Sequence, residues 1–93
     1  MIKTEEIGER IRKFVISNFP AAKRRGVTLQ DALLGSGMID SLGILELVDF
    51  LERSFGFALD EEDLSPENFQ TIEQLASFVA VRLNGQNNSQ AST

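Results

Sequence analysis

Ile44, Leu47, Val48, Leu51 and Phe55 recur at steps of three and four residues, and no other run constrains the fold as tightly. At 100° per residue they fall in one stripe of a helix from about Ser41 to Ser54. A strand would need alternation of period two, which the run lacks. The opposite side carries Leu42, Glu46, Asp49 and Arg53, flanked by Leu45 and Glu52. The stripe already supplies a core face, so these two leucines are not needed for it. Gly56 stands where a left-handed residue ends such a helix, with Phe57 folding back as an apolar contact.

Two more segments share the helical period. Ile7, Ile11, Phe14 and Val15 line one face of a helix from about Thr4 to Asn18. Thr4 is its candidate N-cap, Glu5 and Glu6 sit at its positive end, and Glu6–Arg10 and Glu9–Lys13 are spaced as i,i+4 pairs. Pro20 bars continuation. Ile72, Leu75, Ala76, Val79 and Leu83 share a face of a last helix, which Thr71 and Gln74 open in a capping-box pattern and which should end near Asn84-Gly85. Before it, Ser65 is placed to cap a short helix around Pro66 to Asn68. Phe57-Ala58-Leu59 is at most a brief extended stretch. The expectation is an all-α fold: a small antiparallel four-helix bundle of three longer helices and one short one, with a long first loop over residues 19–40.

Within that loop Lys23-Arg24-Arg25-Gly26 has the character of a solvated turn, and Thr28 could cap a short helical turn through about Ala32. Leu29, Leu33 and Leu34 must be partly buried, or the loop would expose a sizeable apolar patch. Gly35 and Gly37 bracket Ser36 and permit a tight backbone path toward Ser41. At 93 residues the chain is one domain, expected over 1–84, with 85–93 a disordered polar tail that lacks the apolar side chains to offset its ordering entropy.

Composition excludes several chemistries. Cysteine and histidine are both absent, which removes thiolate nucleophiles, disulfides and the commonest general base, so an enzyme is not expected. The net charge of −5 is unevenly spread: residues 1–26 carry seven bases against three acids, residues 27–93 two against eleven. An acidic main body repels nucleic acid and suits partners with basic patches. No run approaches the ~18–20 apolar residues of a membrane span, and the N-terminus lacks the apolar core of a signal peptide, so no membrane association and a cytoplasmic location are expected. Asp60-Glu61-Glu62-Asp63 lacks the alternating ligands and glycine of an EF-hand, so no metal site is expected, and Gly35-Ser36-Gly37 has no lysine at phosphate-loop spacing, so it is not expected to cradle phosphate.

The run Gly37-Met38-Ile39-Asp40-Ser41-Leu42 puts one hydroxyl where a loop becomes a helix. Asp and Ser are common capping residues, and the tripeptide alone says little more than that. Its surroundings say more. From about Leu33 to Val81 the chain resembles the acyl and peptidyl carrier protein family: the Gly-x-Ile-Asp-Ser-Leu lead, Leu45-Glu46-Leu47-Val48, an aromatic at Phe55 before a turn, an acidic loop, and a final helix opening at Thr71-Ile72. The resemblance implies that Ser41 receives a 4'-phosphopantetheine arm from coenzyme A through a phosphopantetheinyl transferase, with Asp40 helping partners recognise the serine. It implies a discrete, monomeric carrier whose arm holds an acyl or aminoacyl group as a thioester, loaded by a dedicated ligase and passed between biosynthetic enzymes. Leu42, Leu45, Glu46, Asp49 and Glu52 form the expected partner face. Gly43, where members serving fatty-acid synthesis often have an acid, and Arg53, which interrupts the acidic run, depart from that branch. The segment Leu64-Ser65-Pro66-Glu67-Asn68-Phe69 resembles discrete carriers of small pathways. The competing expectation is a helical adaptor in which Ser41 is only a cap and the acidic, leucine-bearing face binds a basic protein.

Overall fold

The computed structural model describes residues 3–34 and 39–92, with backbone alone for Ser41 and residues 85–92. These contain the helices α1 (Thr4–Asn18), α2 (Pro20–Arg25), α3 (Ser41–Phe55) and α4 (Ile72–Ser92), and 3-10 turns at Glu61–Leu64 and Pro66–Phe69. Among the described residues there is no strand, only an isolated antiparallel bridge between Ala32 and Thr71. The fold is an all-α bundle. α1 and α3 run antiparallel, with Phe19 beside Gly43 at one end and the Arg10 guanidinium 5.6 Å from the Phe55 ring centre at the other.

The apolar stripes meet as their spacing demands. α1 buries Ile7, Ile11 and Val15, α3 buries Leu47 and Leu51, and α4 buries Ile72, Leu75, Ala76 and Val79. Each of the larger side chains contributes roughly 1.5–3 kcal/mol when fully buried. Ile44, Val48 and Phe55, expected on the α3 core face, are half-buried at its flank, and Phe50 packs there too. Phe50 stacks on Phe14 with ring centres 4.2 Å apart. Gly8 is buried because α1 and α4 approach closely: a side chain there would meet Ala76 and Leu29 at 3.5 Å.

Several local expectations are corrected. Pro20 ends α1 but also opens α2, since its fixed φ suits a first helical position. Lys23, Arg24 and Arg25 form the last turn of α2, where cations meet the negative helix end, and Gly26 closes it in the left-handed region at φ 65°. Gly56 does the same for α3 at φ 69°. Lys3, not Thr4, is the N-cap of α1. Glu9 pairs with Arg12 (3.4 Å) rather than Lys13. Thr28 does not cap a helix; its N–H donates to Asp31 (2.8 Å) within a turn. The short helix expected at Pro66–Asn68 is the 3-10 turn Pro66–Phe69. α4 runs to Ser92, past the end expected near Asn84-Gly85, with no proline along its length. Leu83 is the last described side chain packed on the core. The tight path through Gly35, Ser36 and Gly37 lies outside the described residues.

Candidate functional site

Asp40 is extended (φ −97°, ψ −172°), and its Oδ1 accepts the N–H of Gly43 at 2.8 Å while its carbonyl accepts the N–H of Ile44 at 2.9 Å. Such a cap contributes about 1 kcal/mol and fixes where the helix starts. α3 therefore begins at Ser41, flanked by two exposed residues, Asp40 and Leu42. Leu42 is 70% exposed and Leu45 61%, large values for leucines in a chain with a complete core. Glu46 and Asp49 are exposed on the same side, so Leu42, Leu45, Glu46 and Asp49 share one outward face that begins beside Ser41.

Two carboxylates of the expected face have partners within the chain. Asp49 pairs with Arg53 one turn on, 3.1 Å apart and both exposed, so the arginine that interrupts the acidic run offsets its nearest acid. Glu52 is half-buried and accepts the N–H of Leu59 at 2.9 Å. That bond ties down the chain leaving α3. Sequence spacing could place Glu52 on the helix but could not reveal a partner across a turn. Glu46 is the acid of this face with no ion pair among the described residues.

Beside the first turn of α3, Leu34, Ile44, Leu64, Pro66 and Phe69 line an apolar cavity of about 230 Å³. Wider open grooves, of about 520 and 530 Å³, lie farther down α3 against α1 and along α4. The cavity wall carrying Leu64 and Pro66 is held by polar groups. The side chains and amides of Asp60 and Asp63 cap one another across the first 3-10 turn. Asn68 donates to the Asp63 carbonyl (3.0 Å), and Arg82 of α4 pairs with the Asp63 carboxylate while donating to the Ala58 carbonyl (3.0 Å). The same guanidinium lies over Phe57 and Phe78, 5.5 and 5.9 Å from the ring centres. The Asp60 amide and then Arg82 hold the Asp63 carboxyl below its ordinary value, against the opposing effect of burial. The acidic run is thus partly a structural joint. Arg82 escaped the sequence reading because nothing near it in the chain announces a partner nineteen residues earlier.

With this geometry in place, comparison with known proteins defines the class. The model of the family described as "Phosphopantetheine attachment site" matches residues 10–79. The chain belongs to this family of phosphopantetheine-binding carriers. It is 26% identical over 65 residues to the probable acyl carrier protein PigG of Serratia sp. (strain ATCC 39006), covering 70% of this chain and 75% of that protein. The solution structure of holo acyl carrier protein NE2163 from Nitrosomonas europaea superposes with a TM-score of 0.65 at 27% identity, covering 90% of this chain and 99% of that one. The prosthetic group is 4'-phosphopantetheine, and the protein is a carrier rather than a catalyst. That class decides between the two functions expected from the sequence in favour of the carrier over the plain adaptor. Carriers of this kind are modified by a phosphopantetheinyl transferase and work with biosynthetic enzymes.

Proposed function

We propose that Ser41 is the attachment point of the arm, and that the chain carries an acyl unit as a thioester between biosynthetic enzymes. The observation that supports this most is the position of residue 41, first in a 15-residue helix, directly after a cap that fixes that start, and between two exposed neighbours. A phosphodiester at this position lies against the positive end of α3, whose first amides lack intrahelical acceptors. Asp40 opposes that attraction; its cap on Gly43 gives it a separate reason to be present. On loading, the Ser41 oxygen gives its proton to a base of the transferase and bonds to the phosphorus of coenzyme A that bears pantetheine. The bond from that phosphorus to the neighbouring phosphate breaks, and adenosine 3',5'-bisphosphate leaves. The arm supplies the thiol that a cysteine-free chain lacks.

The outward face of α3 is the docking surface in this reading. Glu46, with Asp49, steers basic partner surfaces toward Ser41, and Leu42 and Leu45 set the register of the encounter. Glu52 contributes through the Leu59 amide by holding the helix end rather than by touching a partner. The apolar cavity between Leu34, Ile44 and Phe69 suits the end of an alkyl chain, and the named relatives are an acyl carrier protein and a probable one, which favours acyl over aminoacyl cargo. The carrier unit is residues 1–84, which contain every described side chain of the core.

The test is intact mass after incubation with coenzyme A and a broad-specificity phosphopantetheinyl transferase. The wild type gains one phosphopantetheine unit and Ser41→Ala gains none. An unmodified wild type, or a modified Ser41→Ala, overturns the assignment.

A further inference from the structure

We propose that Gly43 is a positioning residue for the attachment site. The absence of a side chain at 43 lets Ile39 and Phe19 pack under the first turn of α3, and this packing holds Asp40 and Ser41 at their height above the bundle. The inference rests on the reading of Ser41 as the attachment point.

The case is one of space. A Cβ built on Gly43 would lie 2.7 Å from Ile39 Cγ2, 2.8 Å from Phe19 Cε1 and 3.3 Å from Asp40 Oδ1. The first two distances are shorter than real Cβ contacts, so something must move. Phe19 has little freedom to do so: it is buried at the corner between α1 and α2, its N–H bonds to the Val15 carbonyl at 2.9 Å, and the Phe14 ring meets its own edge-to-face at 6.1 Å. Ile39 is 5% exposed, and its Cγ2 sits on a β-branched carbon whose χ1 has few alternatives in a packed site, so it gives way mainly with the backbone. That backbone leads directly into Asp40 and Ser41. The cheapest relief is therefore an outward shift of residues 39–41, which also strains the bond from the Gly43 N–H to Asp40. Conformation does not explain the glycine, because Gly43 is not among the described glycines with positive φ. Helix propensity argues against it, since glycine is among the poorest helix formers.

The same packing bears on partner choice. The acid that carriers for fatty-acid synthesis often present at this position has no room here. A partner of this carrier reads Leu42, Leu45 and Glu46 and finds no side chain at 43.

The experiment compares wild type, Gly43→Ala, Ile39→Ala and the double variant, at a temperature where each is folded. Gly43→Ala lowers the melting temperature, whereas alanine for an unpacked helix glycine raises it. The amide resonances of Ile39 to Leu42 move, and kcat/KM for loading from coenzyme A by a broad-specificity transferase falls about tenfold. Ile39→Ala removes the clashing Cγ2 with the rest of the side chain and makes room, including for the Phe19 ring edge to tilt, so the double variant loads at the rate of Ile39→Ala alone. A merely structural role gives the melting loss without the change in loading rate. The proposal is overturned if folded Gly43→Ala loads at the wild-type rate, or if the double variant loads as slowly as Gly43→Ala. Should Gly43→Ala not fold, the double variant against Ile39→Ala decides: equal loading supports the proposal, slower loading overturns it. Should the wild type itself take no arm, the Ser41 reading fails first, while melting and resonances still decide whether residue 43 must be small.

Discussion

The connection entering α3 and the connection leaving it are held by different forces. The entering chain sinks Val27, Leu33 and Ile39 into the core, with two backbone bonds across to the α4 side, Leu33 N–H to the Gln70 carbonyl (2.7 Å) and Glu73 N–H to the Leu29 carbonyl (2.9 Å). The leaving chain also buries Phe57, but is otherwise secured by charge and hydrogen bonds: Glu52 on the Leu59 amide, the Asp60–Asp63 capping pair, and Arg82 across from α4. One connection is fixed by volume and the other largely by ionisable groups. The difference places the proposed attachment point at the end of the connection held mainly by apolar burial, with the Asp40 carboxylate as its final cap, and the Leu64–Pro66 wall of the apolar cavity on the connection held by charge.

The largest expected effect tests the entering side. Leu33→Ala leaves a hole in a fully buried position and should cost about 2–5 kcal/mol of stability, read from denaturant unfolding, with little dependence on pH. If its cost instead vanished in acid, the distinction between the two connections would be lost. On the leaving side, Arg82→Ala strips Asp63 of its partner and uncovers two phenyl rings; about 1–3 kcal/mol is expected by the same measurement. A loss under ~0.5 kcal/mol would mean that the joint carries no weight.

Acid should separate the two sides further. Asp63 has a depressed folded value, so its contribution is present above the unfolded carboxyl value, ordinarily 3.8, and is lost as pH falls through the folded one. Wild-type stability should therefore drop across and below that value, and Asp63→Asn should flatten this part of the curve; identical curves would remove Asp63 from the account. Smaller still is Glu52→Gln, which keeps an acceptor for the Leu59 amide but removes its charge. We expect a loss of about 0.5–1 kcal/mol, from chemical denaturation. Leu42→Glu belongs to neither connection. Its melting should stay within ~0.5 kcal/mol of wild type because the side chain is already in water, while loading slows sharply. A collapse of melting would show that Leu42 supports the fold.

Much of this architecture was legible because helical periodicity is local. The stripes on α1, α3 and α4 are set by spacing alone: Ile7, Ile11, Val15, Leu47, Leu51, Ile72, Leu75, Ala76 and Val79 are buried, while Phe14, Ile44, Val48, Phe55 and Leu83 pack at the edge of the core. The outward leucines at 42 and 45 were visible for the same reason: they fall off the stripe. α2 was missed because Pro20 stops one helix and starts another, and only the corner at Phe19 distinguishes the two roles. The structural role of the acidic run was not legible, because its carboxylates cap one another and its cation comes from α4.

By itself the sequence determined the three longer helices, the outward face of α3 and the placement of a capped serine at its head, since all three depend on residues within a few positions of one another. Tertiary structure alone decided what Gly43, Glu52 and Arg82 are for. A missing side chain, a carboxylate and a guanidinium acquire their roles from atoms brought near by folding, and in the sequence those atoms lie anywhere from three to twenty-five residues away.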